Sequence, residues 1–494
     1  MQRVLRVLED PRSLEPSLFD VATRAGTNGS MGQFSPAALG RSNAWDFILA
    51  IEGSLMLAGA ATRRLESNAG GTLAFPFHTR SASAPGLADG EDGHGELWLP
   101  RWSSSSTCRE VRRLFAEGRA KTKTGGAATG LDFARSIASL GVDRGLSEFV
   151  RFSFQARNGK NYFATPLGRF ATHEVHAARL LDDVNAWYDR FRRGASGKNV
   201  PARIALARRR VEQAMFEAVG SGTLGPVLLA LGDSESALAQ SLPFAKKAFL
   251  GPLPRLPATW SKEVNDGSVE QRLAAALAAR PEMRGRLLPL DKSGGAFGRG
   301  NESAFVFAER PLVDNLHALL LREDVESLQQ KGSAPREANQ ARCSLTDITR
   351  FIDRDTNDVL IERWLRALVL VDGGFVHAMP ADTLLPPAAF AVLAIVHHRH
   401  LGGAELPRTT GVLARACAGD AVGATTAAIR RLNASARPLP ITALVEGTMR
   451  TRRIAAALAF PLTPNQRRTL ESMVLSADVE DTNTGAFRPD QENA

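Results

Sequence analysis

The fold class follows first from residues 148–170, Glu148-Phe-Val-Arg-Phe-Ser-Phe-Gln-Ala-Arg-Asn-Gly-Lys-Asn-Tyr-Phe-Ala-Thr-Pro-Leu-Gly-Arg-Phe170. Apolar and polar residues alternate over 150–155, which is the pattern of a β-strand. Asn158-Gly159 favours a two-residue hairpin turn, because both residues tolerate positive φ. The returning strand begins at Tyr162, and Pro166-Leu-Gly-Arg169 predicts another turn. The sequence therefore predicts a β-hairpin with a basic tip.

The segments before this hairpin alternate between helical and extended patterns. Asn43 can cap a helix at about 44–65, and its apolar residues cover nearly the full circumference. We therefore expect this helix to be buried at the centre of its domain. The other predictions here are an edge strand at 72–80, an extended segment at 96–102, a helix at 107–120, a flexible basic loop at 121–126 and a helix at 131–140.

From about residue 174 onward the spacing of apolar residues is helical. The predicted helices lie near 174–193, 202–219, 223–240, 268–280, 311–329, 355–371, 386–401, 409–418, 421–434, 447–459 and 463–476. The fold class that follows is α+β: a mixed N-terminal part with a β-hairpin, then a mainly α-helical C-terminal half with a helical bundle. Pro and Gly clusters predict an α+β region at 1–200, a helical middle region at 201–335, a C-terminal bundle at 336–477 and a polar tail at 478–494.

Positive charge is concentrated in one segment of the 494 residues. Residues 101–210 hold 22 basic and 9 acidic side chains, whereas the rest of the chain holds 39 basic and 43 acidic ones. Of the 61 basic residues 52 are Arg, whose planar fork suits phosphates and base edges. A bias toward Arg in the genome accounts for the count but not for the clustering. The clustering favours nucleic-acid contact by this segment.

Sequence patterns of common catalytic sites are missing. The glycine-rich stretch 294–300 lacks the Lys-Ser/Thr ending of a phosphate loop. Three Cys, none in a C-x-x-C pair, fit a reducing compartment and provide no zinc cage. No apolar run is long enough for a membrane span. We therefore expect a binding or scaffold protein that is not an enzyme and needs no cofactor or metal. A rival hypothesis, a metal-dependent nuclease, would use His397, His398 and His400 or Asp353 and Asp355.

Several stretches in the first third of the chain resemble one family, the large subunit of the type I-G (formerly I-U) CRISPR interference complex. Their shared order over about 140 residues makes the match specific, and beyond residue 200 it rests on helical character alone. The stretches are Gly32-Gln-Phe-Ser-Pro-Ala-Ala-Leu-Gly40, Asn43-Ala-Trp-Asp-Phe-Ile-Leu-Ala-Ile-Glu-Gly53, Ala58-Gly-Ala-Ala-Thr-Arg-Arg64, Ala74-Phe-Pro-Phe77, Gly95-Glu-Leu-Trp-Leu-Pro-Arg-Trp102, Leu114-Phe-Ala-Glu-Gly-Arg-Ala120, Gly141-Val-Asp-Arg-Gly145 and Phe149 to Arg169.

The resemblance implies a non-catalytic, cytoplasmic subunit of a CRISPR RNA-guided ribonucleoprotein that acts in antiviral defence. Such a subunit helps to recognise the short motif beside the DNA target (PAM recognition), stabilises the opened strands and helps to recruit a helicase-nuclease. The implied partners are CRISPR RNA, target DNA, and the backbone and small subunits of the Cascade complex, with no membrane. The family usually carries a sizeable portion before the Gly-x-Phe-x-Pro stretch, so we expect this chain to lack an N-terminal part. A further expectation from the family is a separate small subunit made from an internal start such as Met283 or Met379.

The candidate nucleic-acid contacts are basic residues of the charged segment together with the hairpin tip. They are Arg112, Arg113, Arg119, Lys121, Lys123, Arg157, Asn158, Lys160, Asn161, Arg169, Arg192 and Arg193. The tip residues are the candidates for groove contact, and the others are candidates for phosphate contact. A second hypothesis is a structural assembly platform, in which the same Arg residues pair with acidic faces of protein partners.

Overall fold

The computed structural model describes most of the helical part of the chain and the central strands of the N-terminal part. The described residues are 44–59, 62–63, 73–74, 77–79, 93–117, 121–122, 125–126, 129–140, 145–157, 161–173, 175, 179–197, 199–291, 294–298, 305–329, 343–372, 380–402, 404–435 and 444–475. The fold is α+β, as the sequence predicts.

The chain divides into two compact units, and one helix passes from one unit to the other. The sheet unit comprises Met1–Arg179 and Glu212–Gly222, and the helical unit comprises Leu180–Val211 and Thr223–Ala494. The finer division of the helical part at residue 335 stays a prediction.

The sheet unit is built around a four-stranded antiparallel sheet in the order β3–β4–β7–β8. In two further antiparallel pairs, β1–β2 and β5–β6, each strand is two residues long. The strands are β1 (Thr62–Arg63), β2 (Leu73–Ala74), β3 (His78–Thr79), β4 (Gly93–Trp102), β5 (Lys121–Thr122), β6 (Gly125–Gly126), β7 (Leu146–Arg157) and β8 (Asn161–Ala171). The helices that precede β7 are α1 (Ala44–Gly59), α2 (Cys108–Glu117) and α3 (Gly130–Leu140).

The predicted hairpin is confirmed as β7 and β8, which pair from Glu148↔Ala171 to Arg157↔Asn161. Its turn, 158–160, lies outside the described residues. The second turn predicted at Pro166–Arg169 is wrong, because these residues continue β8. Arg151 pairs with Gly168 and Phe152 with Pro166, so one extra residue forms a β-bulge. Gly168 has a φ of 122°, which a bulge uses as readily as a turn does.

Three N-terminal predictions are corrected. Helix α1 is not buried: Leu49 and Leu55 are each 65% exposed, so its wide apolar circumference does not place it in the core. The edge strand predicted at 72–80 is two short strands, with Phe77 at a positive φ directly before β3. The basic loop at 121–126 contains the small antiparallel pair β5–β6.

The helices that the sequence predicts in the helical unit are present, and their described ends lie within three or four residues of the predicted ones; of the predicted helix at 174–193, residues 174 and 176–178 lie outside the described residues. Four further helices, at 242–247, 260–263, 283–287 and 345–353, were not predicted. The helices are α4 (Asp182–Gly194), α5 (Ala202–Ser221), α6 (Gly225–Ala239), α7 (Leu242–Lys247), α8 (Trp260–Glu263), α9 (Val269–Ala278), α10 (Met283–Leu287), α11 (Leu312–Gln329), α12 (Leu345–Asp353), α13 (Asp358–Leu368), α14 (Ala388–His398), α15 (Val412–Ala418), α16 (Ala421–Ser435), α17 (Thr448–Ala457) and α18 (Pro464–Leu475). A short strand pair, β9 (His400–Leu401) with β10 (Ala404–Glu405), follows α14.

Local chemistry fixes where several of these helices begin. Ser344 caps α12 in a capping box, since its hydroxyl accepts from the Asp347 amide and the Asp347 carboxylate accepts from the Ser344 amide. Asn357 caps α13 in a simpler way, by accepting from the amide of Leu360. No helix in the part of the chain that the structure describes is both long enough and apolar enough to cross a membrane.

Candidate nucleic-acid interface

The inner face of the sheet holds a buried ion pair. Arg151 on β7 donates to both carboxylate oxygens of Glu96 on β4, at 2.9 and 3.0 Å. Its guanidinium also lies over the rings of Trp98 and Phe216, 4.8 and 4.0 Å from their centroids. Such stacking suits a guanidinium, which is weakly hydrated. Arg151 is therefore part of the core and contributes no charge to the surface.

Aromatic rings surround this ion pair and tie the helices to the sheet. Trp98 is fully buried, 4.7 Å from the ring of Phe133 on α3 and 5.5 Å from that of Phe170 on β8. Phe77 lies 5.5 Å from the ring of Phe149 on β7 and 6.1 Å from that of Phe115 on α2. These ring contacts, of which the Trp98–Phe133 pair is tilted and the others are edge-to-face, hold α2 and α3 on one face of the sheet.

Helix α2 presents the first two predicted contacts to solvent. Thr107 and Glu110 form a capping box at its start, with the Thr107 amide 2.7 Å from the Glu110 carboxylate. These hydrogen bonds from Thr107 hold the pKa of Glu110 below its usual value. Phe115 is buried on the sheet side, whereas Arg112 and Arg113 are both exposed. The two guanidinium groups can therefore reach a ligand outside the unit.

Arg169 on β8 is also exposed, but it has a partner. Glu148 on β7 accepts from Arg101 on β4 at 2.7 Å, and its carboxylate lies 3.6 Å from Arg169. The side chains of Arg101 and Arg169 remain 51% and 68% exposed. One carboxylate between two guanidinium groups leaves a net positive charge on this part of the sheet, so Arg169 keeps its candidacy as a phosphate contact.

The last two predicted contacts lie on α4, in the helical unit. Arg192 is half-buried: it stacks 5.9 Å from the Tyr188 ring, and its guanidinium lies 3.6 Å from the Asp189 carboxylate. Arg193 is exposed, and its Nε donates to the carbonyl of Asp189 at 3.1 Å. Arg193 is therefore accessible to a ligand, while Arg192 is engaged within the fold.

The remaining predicted contacts are not assigned side-chain positions. Arg119, Lys123, Asn158 and Lys160 lie outside the described residues. Lys121 begins β5, Arg157 ends β7 and Asn161 begins β8, and only their backbone is described. The register Arg157↔Asn161 places these two backbones opposite each other at the described end of the hairpin.

One surface cluster was missed by sequence analysis. Phe249 is 91% exposed and has a positive φ of 53°. Only Ala248 separates it from the exposed Lys246 and Lys247, which end α7. Arg193 lies beside the same turn, because Gly194 packs against Leu250. An isolated Phe after two Lys residues has no periodic signal, and only the backbone conformation reveals that it points outward.

The side chains that the nuclease hypothesis would use are arranged differently from a metal centre. Asp353 pairs with Arg450 at 2.9 Å. Asp355 lines an open cleft of about 920 Å3 in which Asp358 pairs with Arg453. Within the described ranges, no three His, Cys, Asp or Glu side chains are grouped so that they could hold a metal ion.

Comparison of the chain with protein-family models and with curated proteins finds no match. The resemblance to CRISPR large subunits therefore rests on the residues quoted above.

Proposed function

We propose that this chain is a non-catalytic large subunit of a type I-G CRISPR interference complex, which binds nucleic acid beside the CRISPR RNA-guided target. The observation that carries the proposal is the shared order of the family stretches between residues 32 and 169. Two of these stretches meet in the core of the sheet unit, where Glu96 of one binds Arg151 of the other. The shared residues therefore include a buried structural pair as well as surface positions.

The charge of the same region supports nucleic-acid contact. Arg112 and Arg113 on α2 and Arg169 on β8 are exposed in a segment that has an excess of 13 positive charges. Phosphate contacts by such residues supply affinity without reading sequence. In this proposal base pairing with the CRISPR RNA reads the target, and the hairpin tip at 157–161 is the candidate for contact with the flanking motif, by analogy with another RNA-guided effector.

The proposal is tested by target binding of the assembled complex. Replacing Arg157 and Lys160 by Gln removes two charges from the hairpin tip, so we expect weaker binding of the target duplex at matched salt. Lys262→Gln is the matched control, since Lys262 is exposed on the short helix α8 of the helical unit. Unchanged binding in the double variant would remove the hairpin from the proposal.

Exposed apolar side chains favour a second candidate, the assembly platform. Leu49, Ile51 and Leu55 on α1 are 65%, 42% and 65% exposed, and exposed apolar side chains of this size often mark protein contacts. Crosslinking in the native complex discriminates between the two candidates. Adducts with RNA or DNA support the nucleic-acid-binding subunit, whereas adducts with proteins alone support the platform.

A further inference from the structure

The turn after α7 holds an aromatic side chain in an unusual way. The Leu250 amide donates to the carbonyl of Ala245 at 2.8 Å, and the Phe249 amide donates to that of Lys246 at 3.2 Å. These two bonds define a Schellman motif, in which Phe249 occupies the left-handed position that usually belongs to Gly. Phe249 therefore has a backbone conformation that is costly for a residue with a Cβ.

The fold gains no packing from this ring in return. Phe249 is 91% exposed, whereas the next residue, Leu250, is buried and contacts α4. A Gly at position 249 would relieve the backbone and would lose almost no buried surface. Residues that are held in sparsely populated backbone conformations cluster at functional sites such as binding sites.

Basic residues lie close to Phe249 along the chain and on the neighbouring helix α4. Lys246 and Lys247 lie in the last turn of α7 and are exposed. The end of α4 lies against this turn: Gly194 is so close to the Leu250 side chain that an added Cβ would lie 3.1 Å from it, and Trp187 Nε1 donates to the Gly251 carbonyl at 3.2 Å. These contacts bring the exposed Arg193 to the same turn. We call Arg193, Lys246, Lys247 and Phe249 the Phe249 patch.

We propose that the Phe249 patch binds an unpaired nucleotide of single-stranded nucleic acid. An exposed aromatic ring offers a stacking surface to a base, and neighbouring cations bind the phosphates on either side; this combination is the general chemistry of single-strand binding sites. A base within a duplex is already stacked and is not available to the ring. The inference rests on the proposed function, since it identifies a further site on a nucleic-acid-binding subunit.

The decisive variant is Phe249→Gly in the full-length chain. We expect it to keep or raise the melting temperature, since Gly suits the left-handed position. We expect it to weaken binding of labelled oligothymidylate or oligouridylate roughly fivefold or more, with a smaller effect on a duplex probe. Phe249→Tyr keeps a stacking ring and should retain most of the affinity. The DNA and RNA probes distinguish the two sources of an unpaired base.

Two controls separate stacking from general effects. Val359→Ala changes another exposed apolar side chain of the helical unit, 70% exposed, and should leave binding unchanged. Lys246→Gln with Lys247→Gln should weaken binding of the same single strand, whereas Lys262→Gln should not. A photocrosslinker placed at 249 should capture the oligonucleotide.

The possible failures are distinguishable. Wild-type binding that is unchanged in Phe249→Gly overturns this inference and leaves the proposed function standing. A crosslink from position 249 to a protein of the complex, with no oligonucleotide adduct, assigns the patch to a protein partner and also overturns it. A wild-type complex that binds no nucleic acid through this chain overturns the inference and the proposed function together.

Discussion

Some Arg residues of this chain lie in the protein interior and others on its surface, and the number of Arg residues alone does not separate the two groups. Arg151 is buried with Glu96, and Arg284 is buried with Glu235 at 2.5 Å. Arg453 binds Asp358 with both terminal nitrogens, at 2.7 and 2.9 Å. These guanidinium groups stabilise the interior. Because they are buried and paired, they add no positive charge to the protein surface. Only exposed Arg residues, such as Arg112 and Arg113, are therefore candidates for nucleic-acid contact.

The cost of breaking a buried pair is the first prediction. Arg151→Met leaves the Glu96 carboxylate buried without its counter-charge, so we expect a loss of about 3–5 kcal/mol in the free energy of unfolding. Arg101→Met is the matched control, because its partner Glu148 is on the same strand as Arg151 but Arg101 is 51% exposed. We expect this control to cost about 1 kcal/mol or less. Urea denaturation measures both, and equal losses would contradict the prediction.

A half-buried pair of His residues at the end of α14 makes stability depend on pH. Burial and the nearby Arg280 lower the pKa of His397 to about 4, and burial beside His397 also lowers the pKa of His398. The unfolded chain, with an imidazole pKa of about 6.5, binds protons that the folded chain does not, so stability is present above that pH and is lost as the pH falls. At pH 5 we expect His397 alone to remove about 2 kcal/mol.

Thermal unfolding between pH 7 and pH 5 tests this. His397→Gln should flatten the acid-dependent fall in melting temperature, since an amide does not titrate. The exposed His400 provides the control, and His400→Gln should leave the fall unchanged. An identical pH profile for wild type and His397→Gln would contradict the assignment.

At the scale of elements, one close helix crossing depends on a single glycine. A Cβ on Gly232 of α6 would lie 2.9 Å from the Ala367 backbone nitrogen of α13. The backbone of a packed helix cannot move aside as a side-chain end can, so Gly232→Ala should destabilise the helical unit by roughly 1–3 kcal/mol despite the better helix propensity of Ala. In Gly225→Ala on the same helix, the added Cβ would lie 3.5 Å from the Trp364 ring and 4.0 Å from the Val264 carbonyl oxygen, which are ordinary contacts. Calorimetry should show a lower melting temperature for the first variant only.

Elements with a strong local signal were predictable from the sequence. The predicted helices of the helical unit follow apolar spacing, and the hairpin follows alternation and a turn signal. Helix α12 was not predicted, although Ser344 caps it. The predictions that were wrong concern features that tertiary packing decides. Alternation in β7 identifies a strand but does not reveal that Arg151 faces the core. Gly168 indicates a positive φ, but both turns and β-bulges use a positive φ. The apolar residues of α1 do not indicate whether other elements pack against this helix.

The candidate site was predictable only in part for the same reason. Composition places a charge excess at 101–210, and the structure leaves Arg112, Arg113 and Arg193 of that segment exposed. Arg192 of the same segment contacts the Tyr188 ring and the Asp189 carboxylate, and composition cannot reveal these contacts. Phe249 is the opposite case, because its exposure depends on a left-handed backbone at a helix end rather than on any residue pattern.

For the whole molecule, the order of residues along the chain does not match the order of the compact units. Glu212–Gly222 belongs with the sheet unit, and Phe216 lies 5.9 Å from the Phe170 ring and 4.0 Å from the Arg151 guanidinium. A boundary drawn at residue 200 would leave this part of the aromatic core outside the N-terminal region. Pro and Gly clusters signal breaks between helices, but they carry no information about which unit a helix end joins.

The distribution of charge and rings predicts how binding should respond to salt. Each phosphate contact releases counterions, so affinity decreases as the salt concentration rises. The negative slope of log affinity against log salt concentration becomes shallower by about 0.7–0.9 for each contact removed. Replacing Arg112 and Arg113 by Gln should therefore lower both the affinity and the slope. Phe249→Gly should lower the affinity for single strands at the same slope, because stacking releases no counterions. Lys262→Gln, which removes an exposed charge outside both candidate sites, is the control. Slopes that are equal for all variants would contradict the separation of ionic and stacking contacts.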